Sequence, residues 1–210
     1  MAQPSDVPLA TPLSVISPQF CVPHPVELSI VRKVLAFGGG TFAVLDANGN
    51  IILKVKPVIL FFNTSRRVIV DAAGNPIVTL KQKAITSHSR WRVFRGESTD
   101  SRDLLFSAKR HSMFQWKTKL DVFFAHNTLE KVCDIKINAG WYAKSCVICA
   151  GDSSTVIAKM HKKQTAQSFF FGKDNFMVTV SPNVDYAFIV ALIVILDEIS
   201  KPAAASTSSG

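Results

Sequence analysis

Residues 186–196 read Tyr-Ala-Phe-Ile-Val-Ala-Leu-Ile-Val-Ile-Leu and carry no polar face. A helix that is apolar all round must be covered all round, because any exposed side leaves hydrocarbon in water. A membrane span needs about 20 apolar residues, and this run has eleven. Its Val and Ile content also suits a strand, but its length favours a helix. At a rise of about 1.5 Å per residue it makes a rod about 16 Å long. Asn183 or Asp185 can cap its start, and Asp197 and Glu198 close it. The rest of the chain has to supply the sheath.

That remainder reads mostly as strands. Segments 41–46 and 51–56 flank Ala47-Asn48-Gly49-Asn50, and Asn-Gly between β-branched runs is a strong hairpin signal. Segments 68–71 and 77–81 flank Ala72-Ala73-Gly74-Asn75-Pro76 in the same way. The two units look alike: Gly49-Asn50 precedes Lys54 and Lys56 in the first, and Gly74-Asn75 precedes Lys81 and Lys83 in the second, with Pro76 inserted. Further strands are expected at 91–94, 104–109, 114–124, 133–137, 145–150, 156–161 and 176–180. Short strands separated by regular turns favour a closed barrel or a sandwich over βαβ units. The simplest architecture is a mainly-β fold, an antiparallel barrel around a central hydrophobic helix near 185–199.

The chain has 210 residues, 48% hydrophobic and 19% charged, which excludes wholesale disorder and suits one domain. Six of its ten prolines fall in residues 1–25, expected as a mobile or extended arm. The domain is expected at 26–200, and the Ala/Ser/Thr-rich tail 201–210 as disordered. The N-terminus lacks the basic and long apolar regions of a secretory signal, Met1-Ala2 does not fit myristoylation, and the Asn63-Thr64-Ser65 sequon reads as chance. A cytoplasmic protein is expected, with the plasma-membrane surface or the nucleus as further sites of action.

Lys plus Arg total 24 against 15 Asp plus Glu, a net charge of +9. The excess sits in residues 31–120, with 16 basic and 5 acidic residues. Such a field suits lipid headgroups, nucleic acid or an acidic protein. Alternate residues of a strand share a face. Lys54 with Lys56, Lys81 with Lys83, Arg90 with Arg92, and Lys117 with Lys119 are each spaced i, i+2, with apolar neighbours between them. If their strands adjoin, the pairs merge into one basic patch. Near an anionic leaflet each basic residue adds about 1 kcal/mol of attraction. The plainer reading is solubility and protection of strand edges by lysine.

Other chemistry is thinly supported. Cys146-Val147-Ile148-Cys149 has the C-x-x-C spacing, but on a strand its two thiols point to opposite faces, so reduced cysteines are expected. His24, His88, His111, His126 and His161 accompany no catalytic motif, and Gly38-Gly39-Gly40 lacks the Lys-Ser/Thr of a phosphate-binding loop. No enzyme, metal or cofactor is expected. The Phe and Trp residues sit in apolar alternation rather than as stacking platforms, which disfavours nucleic acid.

Gly172-Lys173-Asp174-Asn175-Phe176, Pro182-Asn183-Val184-Asp185-Tyr186-Ala187-Phe188 and Leu196-Asp197 resemble the plant LURP-one-related family. So do Ile30-Val31-Arg32-Lys33, Asp46-Ala47-Asn48-Gly49-Asn50, Trp91-Arg92-Val93-Phe94-Arg95-Gly96, Ser98-Thr99-Asp100 and Lys117-Thr118-Lys119-Leu120-Asp121-Val122-Phe123. The likeness runs in one order over about residues 20–200. It implies a Tubby C-terminal-like fold, a barrel of about twelve strands threaded by the C-terminal helix and shared with phospholipid scramblases. Tubby proteins bind phosphoinositides and are proposed membrane-tethered transcription regulators, and members of the plant family are linked to defence. Scramblases carry an acidic calcium motif; here Lys173 and the apolar residues between Asp174 and Asp185 depart from it.

The expected function is therefore a non-enzymatic binding protein, taking a phosphoinositide or other anionic ligand at a membrane surface in plant defence or stress signalling. The alternatives are a membrane-tethered transcription regulator and a protein-interaction scaffold with no lipid ligand.

Overall fold

The computed structural model of the protein describes residues 11–33, 41–58, 66–83, 89–111, 118–140, 145–151, 155–163 and 175–200. Twelve antiparallel strands close into one barrel among these residues: β1 (Val26–Lys33), β2 (Thr41–Leu45), β3 (Ile51–Pro57), β4 (Arg66–Asp71), β5 (Pro76–Gln82), β6 (Trp91–Arg95), β7 (Leu104–Arg110), β8 (Lys119–Phe124), β9 (Ile135–Ala139), β10 (Ser145–Ala150), β11 (Val156–Lys163) and β12 (Asn175–Val180). Each strand pairs with its neighbours in sequence, and β1 closes the ring on β12. Closure removes every free edge, so no strand is left to template aggregation. The residue reading omitted β1, although its alternation is clear. Leu28 and Ile30 are fully buried, while Glu27 is exposed and Ser29 partly so.

The interior is filled by helix α1 (Tyr186–Ser200), whose residues 187–196 are all buried. Inward side chains of many strands meet it; the Phe106 and Phe124 rings stand edge-on to Phe188 at 5.0 and 6.0 Å. Asp185 is the residue that caps it, its Oδ1 accepting the Phe188 amide at 2.9 Å. Asp197 and Glu198 do not end the helix, which continues to Ser200. Both acids sit in the last turn, where the helix dipole disfavours negative charge. The barrel offsets this with two arginines whose strand partners are core residues, Arg32 opposite Phe42 and Arg67 opposite Leu80. Arg67 Nη2 meets Glu198 Oε1 at 2.8 Å, and Arg32 Nη1 meets Asp197 Oδ1 at 3.6 Å.

The twin hairpins correspond more closely than the sequence reading had them. Asp46 and Asp71 each accept amides across their turns, and each binds the side chain of an Asn four residues on. Gly49 and Gly74 sit at φ +83° and +103°, which only glycine adopts without strain. Both hairpins carry a register shift just before the turn, and Pro76 opposes Val70 as Ile51 opposes Leu45. Pro76 is thus the first residue of β5, a place proline tolerates, and not an insertion. The structural counterpart of Lys81 is Lys56, not Lys54.

The proline-rich segment differs from the arm expected up to residue 25. From residue 11 it packs on the barrel end where α1 enters. Leu13 bridges to Val184, and Ile16 and Phe20 join the core. A carboxylate draws it in, since Asp185 Oδ2 accepts the amides of Val15, Ile16 and Ser17 at 3.3, 2.7 and 3.1 Å. Burial raises the Asp185 pKa, while these amide bonds oppose the rise.

Candidate anion-binding face

Because α1 fills the barrel, the ligand-accessible chemistry lies outside it, where strand alternation sorts the charges. Leu53, Val55, Leu80, Trp91, Val93 and Leu120 point in and are buried. Their neighbours Lys54, Lys56, Lys81, Arg92 and Lys119 therefore point out.

Strand register decides which of these cations meet. Lys81 on β5 lies directly opposite Arg92 on β6 and, on its other side, opposite Arg66 on β4. Strands lie about 4.8 Å apart, so three cations occupy one lateral row about 10 Å long. Directly opposed like charges destabilise a sheet. Among the described residues no carboxylate forms an ion pair with any of the three. Arg66 Nη2 donates only to the main-chain carbonyl of Glu97, at 2.8 Å. Lys56 opposes Val68, two residues along from Arg66, and the Lys83 amide donates to the carbonyl of Arg90, two along from Arg92. Both are exposed; Lys56 flanks the Arg66 end of the row diagonally, and Lys83 follows Lys81 just past the end of β5. Four cations from the adjacent strands β3 to β6, with Lys83 beside them, thus share one face.

Arg90, Lys54 and Lys119 do not join it. Arg90 is engaged by Glu130, with its two Nη atoms on the two carboxylate oxygens at 2.6 Å each. Lys109 Nζ reaches the same carboxylate at 2.9 Å. These two cations hold Glu130 well below the usual range, at about 2, with the Arg90 hydrogen bonds as the leading cause. Lys54 Nζ is tied to the Ala72 carbonyl at 2.9 Å and lines, with Lys56, Thr41, Ala43 and Ile51, a shallow cleft of about 250 Å³. Lys119 stands on β8 opposite Asn138, two strands from Arg92. Lys117 lies outside the described residues. Arg66, in the centre of the chemistry, was missed because it sits at the start of β4 beside the inward Arg67, with no i, i+2 partner. Its contribution is visible only through strand register.

The remaining motifs resolve as expected for a strand. Cys146 is buried in the core, its thiol pushed up to about 12 by that burial, whereas Cys149 is partly exposed. All four cysteines are free. Among the described residues no helix is long and apolar enough to cross a membrane, and no three His, Cys, Asp or Glu residues cluster as a metal site.

A family model described as LURP-one-related matches residues 26–197, the whole barrel and all but the last turn of its helix. The chain belongs to the LURP-one-related family. It is 51% identical over 187 residues to Protein LURP-one-related 15 of Arabidopsis thaliana, covering 89% of this chain and 86% of that one. It is 52% identical to LURP-one-related 10 (90% and 97% covered) and 50% identical to Protein LURP1 (90% and 91% covered), both from the same plant. The X-ray structure of an Arabidopsis thaliana protein superposes with a TM-score of 0.70 at 42% identity, over 90% of this chain and 99% of that one. In this LURP-one-related barrel the basic face falls on β3 to β6, inside the matched region.

Proposed function

We propose that this LURP-one-related domain is a non-enzymatic binding module that takes an anionic headgroup, a phosphoinositide or another acidic lipid, on its β3–β6 face. The observation that carries the reading is the direct opposition of Arg66, Lys81 and Arg92, with no acid among the described residues paired to them. A barrel that keeps three like charges side by side accepts a cost that a phosphate removes, through charge-assisted hydrogen bonds from two guanidinium groups and an ammonium. The filled interior supports a surface role, since the helix occupies the space in which a barrel enzyme or carrier would hold a small molecule. By family resemblance, the setting we infer is plant defence or stress signalling, at the cytoplasmic face of a membrane.

Vesicle flotation with and without a phosphoinositide tests the reading. The native chain is expected to float with the charged vesicles, and a triple variant Arg66→Glu, Lys81→Glu, Arg92→Glu to stay in solution. Equal flotation of the two proteins would retire the site. Binding to acidic proteins but to no vesicle would favour the scaffold alternative.

A further inference from the structure

The connection between β8 and β9, residues 125–134, sets two aliphatic side chains out in solvent. Leu129 is 76% exposed and Val132 58%. Ile51 is the remaining large exposed hydrophobic among the described residues, so two of the three stand on this loop. The loop is built to hold them there. Asn127 Nδ2 donates to the Val132 carbonyl at 2.9 Å and to Asp134 Oδ2 at 2.8 Å, and Asn127 Oδ1 accepts the Glu130 amide at 3.2 Å. Asp134 also accepts the Phe124 amide at 2.8 Å. Glu130 takes a left-handed φ of +48° and turns its carboxylate onto Arg90 and Lys109. With that carboxylate facing the barrel, Leu129, Lys131 and Val132 are left on the outside.

The charges around the loop complete the pattern. Its exposed cation is Lys131, between the two aliphatic residues, and its two acids are both engaged inward. The Glu130 clamp lies over Ser107, which accepts from Arg90, and Phe123, whose ring lies under Lys109. Ser107 and Phe123 are the next two positions of the row that begins Arg66, Lys81, Arg92. The loop therefore stands directly beside the basic face. Two isolated aliphatic side chains lack the large aromatic or Arg anchors that dominate protein interfaces. Apolar tips beside cations are what an anionic bilayer receives, the tips entering the acyl boundary while the cations stay at the headgroups.

We propose that the 125–134 loop is a membrane-inserting wedge, which places Leu129 and Val132 into an anionic bilayer while the β4–β6 cations lie on its surface. This rests on the membrane reading above and adds a hydrophobic component that electrostatics alone does not supply.

The test uses the full chain and vesicles of phosphatidylcholine with or without phosphatidylserine. Replacing both tips, Leu129→Ser with Val132→Ser, is expected to weaken partition to the charged vesicles tenfold or more, since both side chains lose their burial. A separate Leu129→Trp variant is expected to show extra fluorescence quenching by brominated lipids, beyond that of the native chain, with charged vesicles only. Both changes are at exposed positions, and circular dichroism checks the fold. Unchanged partition of the double-Ser variant, or a position-129 tryptophan that stays unquenched on bound protein, overturns the wedge. If the wedge variants bind normally while the Arg66/Lys81/Arg92 reversal abolishes binding, the wedge is wrong and the electrostatic site stands. If the native chain ignores vesicles charged with phosphatidylserine and vesicles charged with a phosphoinositide alike, both fall.

Discussion

The Asp185 carboxylate accepts the backbone amide of Ile16 at 2.7 Å, across 169 residues of chain. The same side chain caps α1 and holds residues 15–17 on the barrel end, so one buried group joins the first described segment to the last element. Replacing it with Ala leaves amides from two segments without their acceptor. The expected loss is about 3–5 kcal/mol, from a lost helix cap and several unsatisfied buried donors. Asp185→Asn is expected to recover only part, because its amide nitrogen presents donors to donors. Urea denaturation of the three proteins checks the order.

The segment tied by Asp185 also shows what the sequence could and could not convey. The core helix was legible because residues 186–196 leave no other option than burial, and the hairpins because Asn-Gly and Gly-Asn sit between β-branched runs. Residues 11–25 looked loose because six prolines in the first 25 residues discourage helix and sheet. Their packing rests on core contacts and on bonds to residues 183–185, the Asp185 carboxylate accepting three of their amides, and no local pattern records a partner 170 residues along the chain. The inward alternation around Lys81 and Arg92 was likewise readable. Which cations share a row is a property of register, and Arg66 entered only through its pairing with Lys81. Neutralisation of Arg90 by Glu130 is a contact across 40 residues, equally invisible to spacing.

Arg67 and Glu198 form an ion pair inside the barrel mouth, with side chains 8% and 9% exposed. Removing one partner of so buried a pair leaves the other charge poorly compensated. Arg67→Met alone is expected to cost about 3–5 kcal/mol. The double variant Arg67→Met, Glu198→Met is expected to regain most of that, because the desolvation of both charges is removed together. A double-mutant cycle by chemical denaturation gives the coupling. Near-additive losses would mean the pair is held by its surroundings rather than by its own attraction.

Glu130 carries a pH signature. Its folded pKa is about 2, below the ordinary 4.5, so it contributes stability above the unfolded value. That contribution is lost as pH falls from about 4.5 through about 2. Solvent screening limits it to about 1–2 kcal/mol. Asp185 runs the other way: its pKa is raised, so its contribution is present at low pH and lost as pH rises through the folded value. The clean measurement is the difference between the native chain and Glu130→Gln. That difference is expected to be largest near neutral pH and to shrink towards zero at the acid end of the window. A constant difference across the window would place the stabilisation outside the Arg90 and Lys109 pairs.

Lys81 separates stability from binding. It lies between Arg66 and Arg92 in directly opposed positions, so its charge adds repulsion on both sides. Lys81→Glu converts two repulsive neighbours into two attractive ones. A gain of about 0.5–1 kcal/mol in stability is expected. Binding to anionic vesicles is expected to fall in the same protein, because a carboxylate then stands where a phosphate would be held. Opposite signs in denaturation and flotation are what a retained, costly ligand site produces. A solubility surface behaves differently, since its cations are spread apart and reversing one of them changes little. Were Lys81→Glu to leave stability lower and flotation intact, the row would be an ordinary solvated face and the case for an anion site on β4–β6 would end there.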